Sequence, residues 1–503
     1  MIGKKKLAFA LAGGAVLAAA VLLLSLHPYR ATTVIASAGG CSLRVDTVEP
    51  ASGEPQGYVV LLHGLSANKR IMWYVAEGFA TQNLRVFVPD LPGHGRTPGP
   101  FTAERAESCA ASFVQQLINR RAIIPQRTIL AGHSLGGAIA MRIASRLNLA
   151  GVVAISPAPQ HSGDGIGQDM LPFRNSIPPP SGTLVVRGGW EPSRIRYSDR
   201  DFLIQSLGST GTYVLIPRAT HVSLLFAPKV VLASQRWAAL LLGINAQARV
   251  PSLASLFGAL LGVVGLGILI VPFLHEVVAS PASVPALEFS LPPRPALSLL
   301  QVAVVSALSI TILKFGVPLR FLRVFQGDYL ASFFLLSGLA LMTWNLKRVK
   351  TALHPSWRSL LAAVFAAVAL LVLFGGWFDL TFSEAWLTAP RWLRFPGMFF
   401  ALLPWHFAEE LMLGSPAALS RARRLLLAMG FRALAWLAMT AALFYLHSGE
   451  ILIVLLTVYF AVFFVLQRLA VDLVHRETRS VAAAAVFGAI LFAGLALAIF
   501  PVA

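Results

Sequence analysis

Ser134 stands in the run Gly132-His133-Ser134-Leu135-Gly136, a G-x-S-x-G spacing. A serine hydroxyl attacks a carbonyl only after a base has taken its proton. Flanking glycines permit a turn sharp enough to lift that hydroxyl clear of the backbone. If Ser134 opens a helix, the positive end of the helix dipole also favours the negative charge that develops there. A plain helix N-cap is the competing reading of the same residue. The base is expected near the end of the same domain, and Ala219-Thr220-His221 supplies it, with a solvated loop histidine as the alternative. The other histidines of the region read differently. His63 lies beside a backbone-donor loop, His94 in a turn, His133 at the variable position of the serine motif, and His161 in an irregular segment. A carboxylate must orient the imidazole and stabilise its cation. Glu191, in Gly188-Gly189-Trp190-Glu191-Pro192, is the first choice, with Asp199 and Asp201 as rivals. The tetrahedral oxyanion needs backbone N–H donors, expected from Leu135 after the serine and Leu65 in His63-Gly64-Leu65-Ser66.

These residues require a particular scaffold. Short apolar, β-branched runs at 58–62, 84–88, 128–131, 151–155, 183–186 and 212–216 each end in a turn residue, and helical stretches are expected near 68–82, 102–120, 135–147 and 222–243. Apolar strands alternating with helices indicate a mainly parallel sheet covered on both faces. Such sheets carry their chemistry at the carboxyl ends of the strands, where Ser134, Glu191, His221 and Leu65 all fall. The fold class is therefore α/β for this part of the chain.

Residues 57–245 resemble an α/β-hydrolase of the monoglyceride-lipase and serine-aminopeptidase type. The resemblance is carried by Leu62-His63-Gly64-Leu65, by Asp90-Leu91-Pro92-Gly93-His94-Gly95-Arg96-Thr97, by Gly132-His133-Ser134-Leu135-Gly136-Gly137, and by His221 after the last strand. It implies Ser134, Glu191 and His221 as the triad, Leu65 and Leu135 as the oxyanion hole, a structural role for the turn containing His94, and no cofactor. Glu191 departs from the aspartate of most such relatives. Gly and Pro crowd 157–182, which argues against a helical cap over the site. An uncapped site favours substrate presented from a bilayer, such as an acyl lipid or lipid-linked ester.

The rest of the chain is of another kind. Of 503 residues 56% are hydrophobic and only 13% charged, with a mean hydropathy of +0.71. Soluble proteins carry about 25% charged residues, so a wholly soluble globule and a disordered chain are both excluded. Lys4-Lys5-Lys6 precede an uncharged stretch at 7–26, expected to be an uncleaved anchor or a signal peptide, with an A-x-A sequence at Ala36-Ser37-Ala38. Eight further spans are expected at 254–274, 296–315, 328–346, 359–378, 396–414, 425–447, 451–467 and 481–500. The domains divide as anchor 1–26, hydrolase 27–248 and all-α polytopic membrane domain 249–503.

The net charge of +19 is explained by topology rather than nucleic-acid binding. With a cytoplasmic amino terminus, the inside loops 347–358 (Lys347, Arg348, Lys350, Arg358), 415–424 (Arg421, Arg423, Arg424) and 468–480 (Arg468, Arg476, Arg479) are the richest in cations. Arg320 and Arg323 fall in an outside loop, against the trend. The hydrolase lobe is then extracytoplasmic, on the periplasmic side of a bacterial inner membrane.

Within the spans, His406, Glu409, Glu410 and Arg432 are ionisable and are functional candidates by default. The Glu pair is similar to the E-E-x-x-x-R motif of CAAX-processing membrane proteases, but Gly414 stands where the arginine should be. An interhelical ion pair of Glu409 or Glu410 with Arg432, His406 assisting, is the plainer reading, and no metal site is indicated. Cys41 and Cys109 are read as two free thiols, with one bridge as the alternative.

The leading expectation is a membrane-embedded serine esterase or lipase whose partners are ester substrates and membrane lipids. A peptidase or acyltransferase would use the same triad, and a transporter or inactive scaffold with an appended hydrolase-like domain is the alternative of a different class.

Overall fold

A computed structural model describes residues 2–26, 31–50, 53–158, 180–191, 211–279, 294–316, 320–352, 356–446 and 449–503. The chain forms two units. One comprises Leu24–Leu256 with Leu380–Glu384 and Pro501–Ala503, and the other comprises Met1–Leu23, Phe257–Asp379 and Ala385–Phe500. Helix α1 (Ile2–Ser25) begins the chain.

The first unit is built on eight strands: β1 (Ala31–Ala38), β2 (Cys41–Val48), β3 (Gly57–Leu62), β4 (Leu84–Pro89), β5 (Thr128–His133), β6 (Gly151–Ile155), β7 (Thr183–Gly188) and β8 (Thr212–Ile216). Their order is β1-β2-β4-β3-β5-β6-β7-β8. β2 is antiparallel to both neighbours, and β3 through β8 are parallel. The six apolar runs of the sequence are β3 to β8. Val59, Val60, Leu61 and Leu62 of β3 are all fully buried, as befits a parallel strand covered on both faces. The β1–β2 hairpin is an addition to the sequence-based picture. β1 is exposed along most of its length, so no burial pattern announces it.

Helices α2 (Trp73–Ala80), α3 (Ala103–Asn119), α4 (Leu135–Ala144) and α5 (Pro228–Leu242) cover the sheet. Val75 and Phe79 of α2 and Val230 and Ala238 of α5 join Val59, Leu61, Ile129, Val153 and Val186 in one core. Thr102 caps α3, its hydroxyl accepting from Arg105 N at 3.1 Å. Two expected helices begin as 3₁₀ turns, Lys69–Met72 before α2 and Ser223–Phe226 before α5. Pro228 explains the second break, because proline fits only the first turn of a helix.

Cys41 and Cys109 form a disulfide, with Cα atoms 5.8 Å apart, across 68 residues of chain. The reading of two free thiols is thus corrected. The bridge ties the start of β2 to α3, two elements that sequence distance gave no reason to juxtapose.

The second unit is helical. After α6 (Ala254–Val278), α7 (Pro295–Phe315), α8 (Gly327–Trp344), α9 (Leu346–Ala352), α10 (Trp357–Leu380), α11 (Ala389–Leu413), α12 (Arg421–Leu446), α13 (Ile451–Leu455) and α14 (Thr457–Thr478), it ends with α15 (Val481–Ile499). Helices occupy all nine expected spans, and among the described residues seven are long and apolar enough to cross a membrane: α1, α6, α7, α10, α12, α14 and α15. The other two fall short. α8 has only 18 residues and opens on Gly327-Asp328. α11 contains Pro396, Pro404, His406 and the Glu409-Glu410 pair. The span expected at 451–467 is broken after Leu455 and then continues to Thr478, so Arg468 lies inside a helix rather than in a loop.

Candidate active site

The turn between β5 and α4 holds Ser134 at φ 53° and ψ −118°. Few side-chain-bearing residues tolerate a positive φ, and such strain concentrates where function requires a fixed geometry. The surroundings impose it. Ser134 N donates to Ile155 O at 3.0 Å, and Ser134 O accepts from Ala138 N at 3.0 Å. Gly136 is obligatory here, because a Cβ would lie 2.3 Å from Leu62 O. The start of α4 can therefore press against the end of β3. The loop after β3 reaches Ser134 in turn, since a Cβ on Gly64 would sit 3.0 Å from Ser134 Cβ and 2.9 Å from His133 Nδ1. Leu65 follows Gly64 in that loop, and Leu135 follows Ser134. Neither backbone N–H makes a hydrogen bond among the described residues.

His221 follows β8. Its backbone carbonyl accepts from His133 Nε2 at 2.9 Å, and the two rings lie 4.7 Å apart. The variable position of the serine motif thus holds the segment carrying His221. Burial, and next the neighbouring His221, press His133 down to about 3, so its ring is a neutral donor. His63 is likewise structural. Its Nδ1–H donates to Gly64 O at 2.8 Å while Nε2 accepts from Leu91 N at 2.9 Å, and burial above all lowers it to about 4. His94 packs its ring 4.9 Å from Phe101.

Glu191 and His221 meet through a residue the sequence reading passed over. His221 Nδ1 lies 3.7 Å from Glu191 Oε1, too far for a hydrogen bond. Ser156, after β6, fills the gap. Its hydroxyl donates to Glu191 Oε1 at 2.6 Å and accepts from His221 Nδ1 at 2.8 Å. Ser156 has φ 44° and its N donates to Val186 O at 2.6 Å. Its place at a strand end was the available signal. Arg187 Nη1 approaches Glu191 Oε2 at 3.4 Å and Ser156 Oγ at 3.3 Å, and all three side chains are buried. Burial pushes the Glu191 carboxyl up. The nearby His221 imidazole, the Arg187 guanidinium and the Ser156 hydroxyl together outweigh it and hold Glu191 at about 2. Glu191 is therefore a firm anion that can support a cationic imidazole.

Neither Ser134 Oγ nor His221 Nε2 makes a hydrogen bond among the described residues. Catalytic hydrogen bonds commonly tighten only when substrate is bound. His161, Asp199, Asp201 and most of the stretch read as lacking a cap lie outside the described residues.

In the helical unit Glu409 receives two bonds from Arg432, Nε to Oε1 and Nη2 to Oε2, each 2.8 Å. Arg432 Nη1 also donates to Gln467 Oε1 at 2.8 Å and Phe464 O at 3.0 Å. His406 Nδ1 lies 3.7 Å from Glu409 Oε2. Glu410 pairs with Arg424 at 2.8 Å, with Arg468 and with His475. Both glutamates are thus taken up by guanidinium groups. Arg424 and Arg468, read from sequence as loop cations, are almost wholly buried in this network, so the positive-inside count must lose them.

A sheet of this order, with a strained serine turn between β5 and the following helix, is the α/β-hydrolase fold. Residues 59–257 match the model of the alpha/beta hydrolase family, and that part of the chain has the α/β-hydrolase fold, joined in sequence to a helical part with membrane-type helices. Three curated relatives are a magnesium-chelatase 30 kDa subunit from Rhodobacter capsulatus, a pimeloyl-[acyl-carrier protein] methyl ester esterase from Nitrosospira multiformis, and a monoacylglycerol lipase from Mycolicibacterium smegmatis. The first is 30% identical over 33% of this chain and 58% of its own length. The second is 32% identical over 18% and 33%, and the third is 31% identical over 22% and 40%. The chain spans about half or less of these relatives. A solved alpha-beta serine hydrolase homologue from Coxiella burnetii aligns at 14% identity and TM-score 0.34 over 43% of this chain and 97% of its own. An esterase from Pyrobaculum calidifontis aligns at 18% and 0.36 over 48% and 93%.

Proposed function

We propose that this protein is a membrane-embedded serine hydrolase of carboxylic esters. Ser134 attacks the acyl carbon as His221 takes its proton. The oxyanion is met by the N–H groups of Leu65 and Leu135, and the protonated imidazole then passes its proton to the leaving alcohol. Water, activated by the same imidazole, releases the acid from the acyl-enzyme. Glu191 stabilises the imidazolium through Ser156.

The observation that carries this reading is the hydrogen-bonded run Glu191–Ser156–His221 beside a serine held in a strained turn. Esterase and lipase relatives favour esters over peptides. The apolar helices favour a substrate drawn from the bilayer, an acyl lipid or lipid-linked ester. The Cys41–Cys109 bridge supports placing the hydrolase lobe on the extracytoplasmic side of an inner membrane, since disulfides persist in oxidising compartments.

A fluorophosphonate probe tests the nucleophile. Wild type should label and Ser134→Ala should not; well-folded wild type that never labels removes the enzyme reading. Comparing the lipids of membranes holding wild type or Ser134→Ala then tests the substrate class. An ester that accumulates only with the variant supports it, and unchanged lipids beside rapid turnover of short soluble esters oppose it.

A further inference from the structure

Two short segments from the far end of the chain belong to the hydrolase unit, Leu380–Glu384 and Pro501–Ala503. Both close on the turn at 90–97. Val502 N donates to Gly93 O at 3.1 Å, and Val502 O accepts from Phe101 N at 2.7 Å. Glu384 enters more deeply. Its Oε2 accepts from Arg96 N at 3.1 Å, and its Oε1 pairs with Lys69 Nζ. Lys69 is also held by Asp90, Nζ to Oδ2 at 2.8 Å and backbone N to Oδ1 at 2.8 Å. Lys69, Asp90 and Glu384 are all buried. Beside them Asn68 Nδ2 donates to Ser383 Oγ at 3.2 Å.

Lys69 and Asn68 close the loop that begins at His63 and contains Leu65. At its start this loop is fixed by His63 Nε2 accepting from Leu91 N. At its end it is fixed by Asp90, Ser383 and Glu384. Between the two ends, Ser66 takes a left-handed φ of 59° and Ala67 N donates to Gly64 O at 3.2 Å. Lysine has three N–H donors and no acceptor. A buried ammonium needs its partners, and losing one leaves a donor unsatisfied. Without Glu384, Lys69 would be held by Asp90 alone and its end of the loop would be less firmly fixed.

We propose that Glu384 is a positioning residue for the oxyanion loop, anchoring Lys69 from 315 residues downstream, beside the Ser383 bond to Asn68, so that Leu65 N–H stays set against Ser134. The proposal rests on the reading of Ser134 as nucleophile. It makes segment 380–384 part of the catalytic apparatus, without contact with substrate.

The test uses the full-length protein in detergent, with Glu384→Ala and the gentler Glu384→Gln. Fluorophosphonate titration to its end point counts competent Ser134 sites. Hydrolysis of p-nitrophenyl butyrate then gives kcat per site and KM. A trifluoromethyl ketone, which bonds to Ser134 Oγ as that proton passes to His221 and an oxyanion forms, reports the donors directly. Removing one oxyanion donor outright costs about 10²- to 10³-fold in kcat. Loosening one should lower kcat per site about 10- to 100-fold in Glu384→Ala, leave KM within about twofold and raise the ketone Ki by the same factor as kcat falls. Glu384→Gln, whose single amide oxygen can still accept from one of the two donors, Lys69 Nζ or Arg96 N, should recover part of the loss. Unchanged kcat per site and ketone Ki overturn the proposal. So does activity lost only in proportion to the count of titratable sites, which would mark Glu384 as a folding residue. Wild type that does not label at all removes the nucleophile reading instead, so the two failures are distinguishable.

Discussion

Replacing Ser156 by alanine removes the hydroxyl that bridges Glu191 and His221 and leaves the carboxylate in place. The separation between His221 Nδ1 and Glu191 Oε1 would remain 3.7 Å, a distance at which unit charges still attract by about 4 kcal/mol at an effective dielectric of 20. The loss is the charge-assisted hydrogen bond to Nδ1, worth about 1.5–3 kcal/mol, which converts to about 10- to 150-fold at 1.4 kcal/mol per factor of ten. The bond matters most when the imidazole is cationic, so kcat should carry the loss and KM should change little. Glu191→Gln removes the charge as well. Neutralising a triad acid costs about 10⁴-fold in the serine protease case, so this variant should be the worse of the two. The assay is p-nitrophenyl butyrate hydrolysis by full-length protein, normalised to fluorophosphonate-titrated sites. Ser156→Ala within twofold of wild type would show that Glu191 and His221 close up unaided, refuting the bridging role. Equal losses in the two variants would refute the ordering.

Three further outcomes are expected. Cys41→Ser with Cys109→Ser opens a 68-residue loop, for which chain entropy gives about 4 kcal/mol; pulse proteolysis in urea should show a lower midpoint for the hydrolase unit, matched by reduced wild type. His133, lowered to about 3, stays neutral when folded, whereas the unfolded chain takes up a proton below about 6.5. Stability should therefore fall as pH drops from about 6.5 toward 3, by up to about 1.4 kcal/mol per pH unit for this residue, with His63 adding a similar loss down to about 4. Urea midpoints at pH 6 and pH 4.5 should differ less in His133→Asn than in wild type. Arg432→Met removes both hydrogen bonds that Glu409 receives from it and leaves, among the described residues, only Arg468 and His406 at 3.8 and 3.7 Å; breaking a buried pair costs up to about 3–5 kcal/mol. Thermal unfolding in detergent should show the loss and its recovery in Arg432→Met with Glu409→Gln.

Much of the hydrolase architecture was legible because parallel strands buried on both faces must be written as continuous apolar runs, as Val59 to Leu62 and Val152 to Ile155 are. The serine turn was legible because close backbone approach at Gly136 admits one residue type. The β1–β2 hairpin left no such mark, since its outer strand is exposed. The disulfide was hidden because nothing local connects Cys41 to Cys109. Arg424 and Arg468 were misread because a cation near a helix end looks alike whether it faces solvent or pairs with Glu410. Ser156 and Glu384 escaped for a deeper reason. Each acts through a gap between side chains from other segments, and a gap has no sequence of its own.

The late arrival of Ser383, Glu384 and Val502 bears on biogenesis. A chain is made from its amino terminus, and domains generally fold as they emerge. Here the strands of the hydrolase fold are complete by Ile216, yet the turn at 90–97 waits for partners made more than a hundred and sixty residues later and again after the helix Val481–Ile499. A stop codon in the helical region would therefore release a hydrolase-fold lobe with its turn unclamped, and passage of the ribosome beyond Val502 would act as a checkpoint on when the lobe is finished.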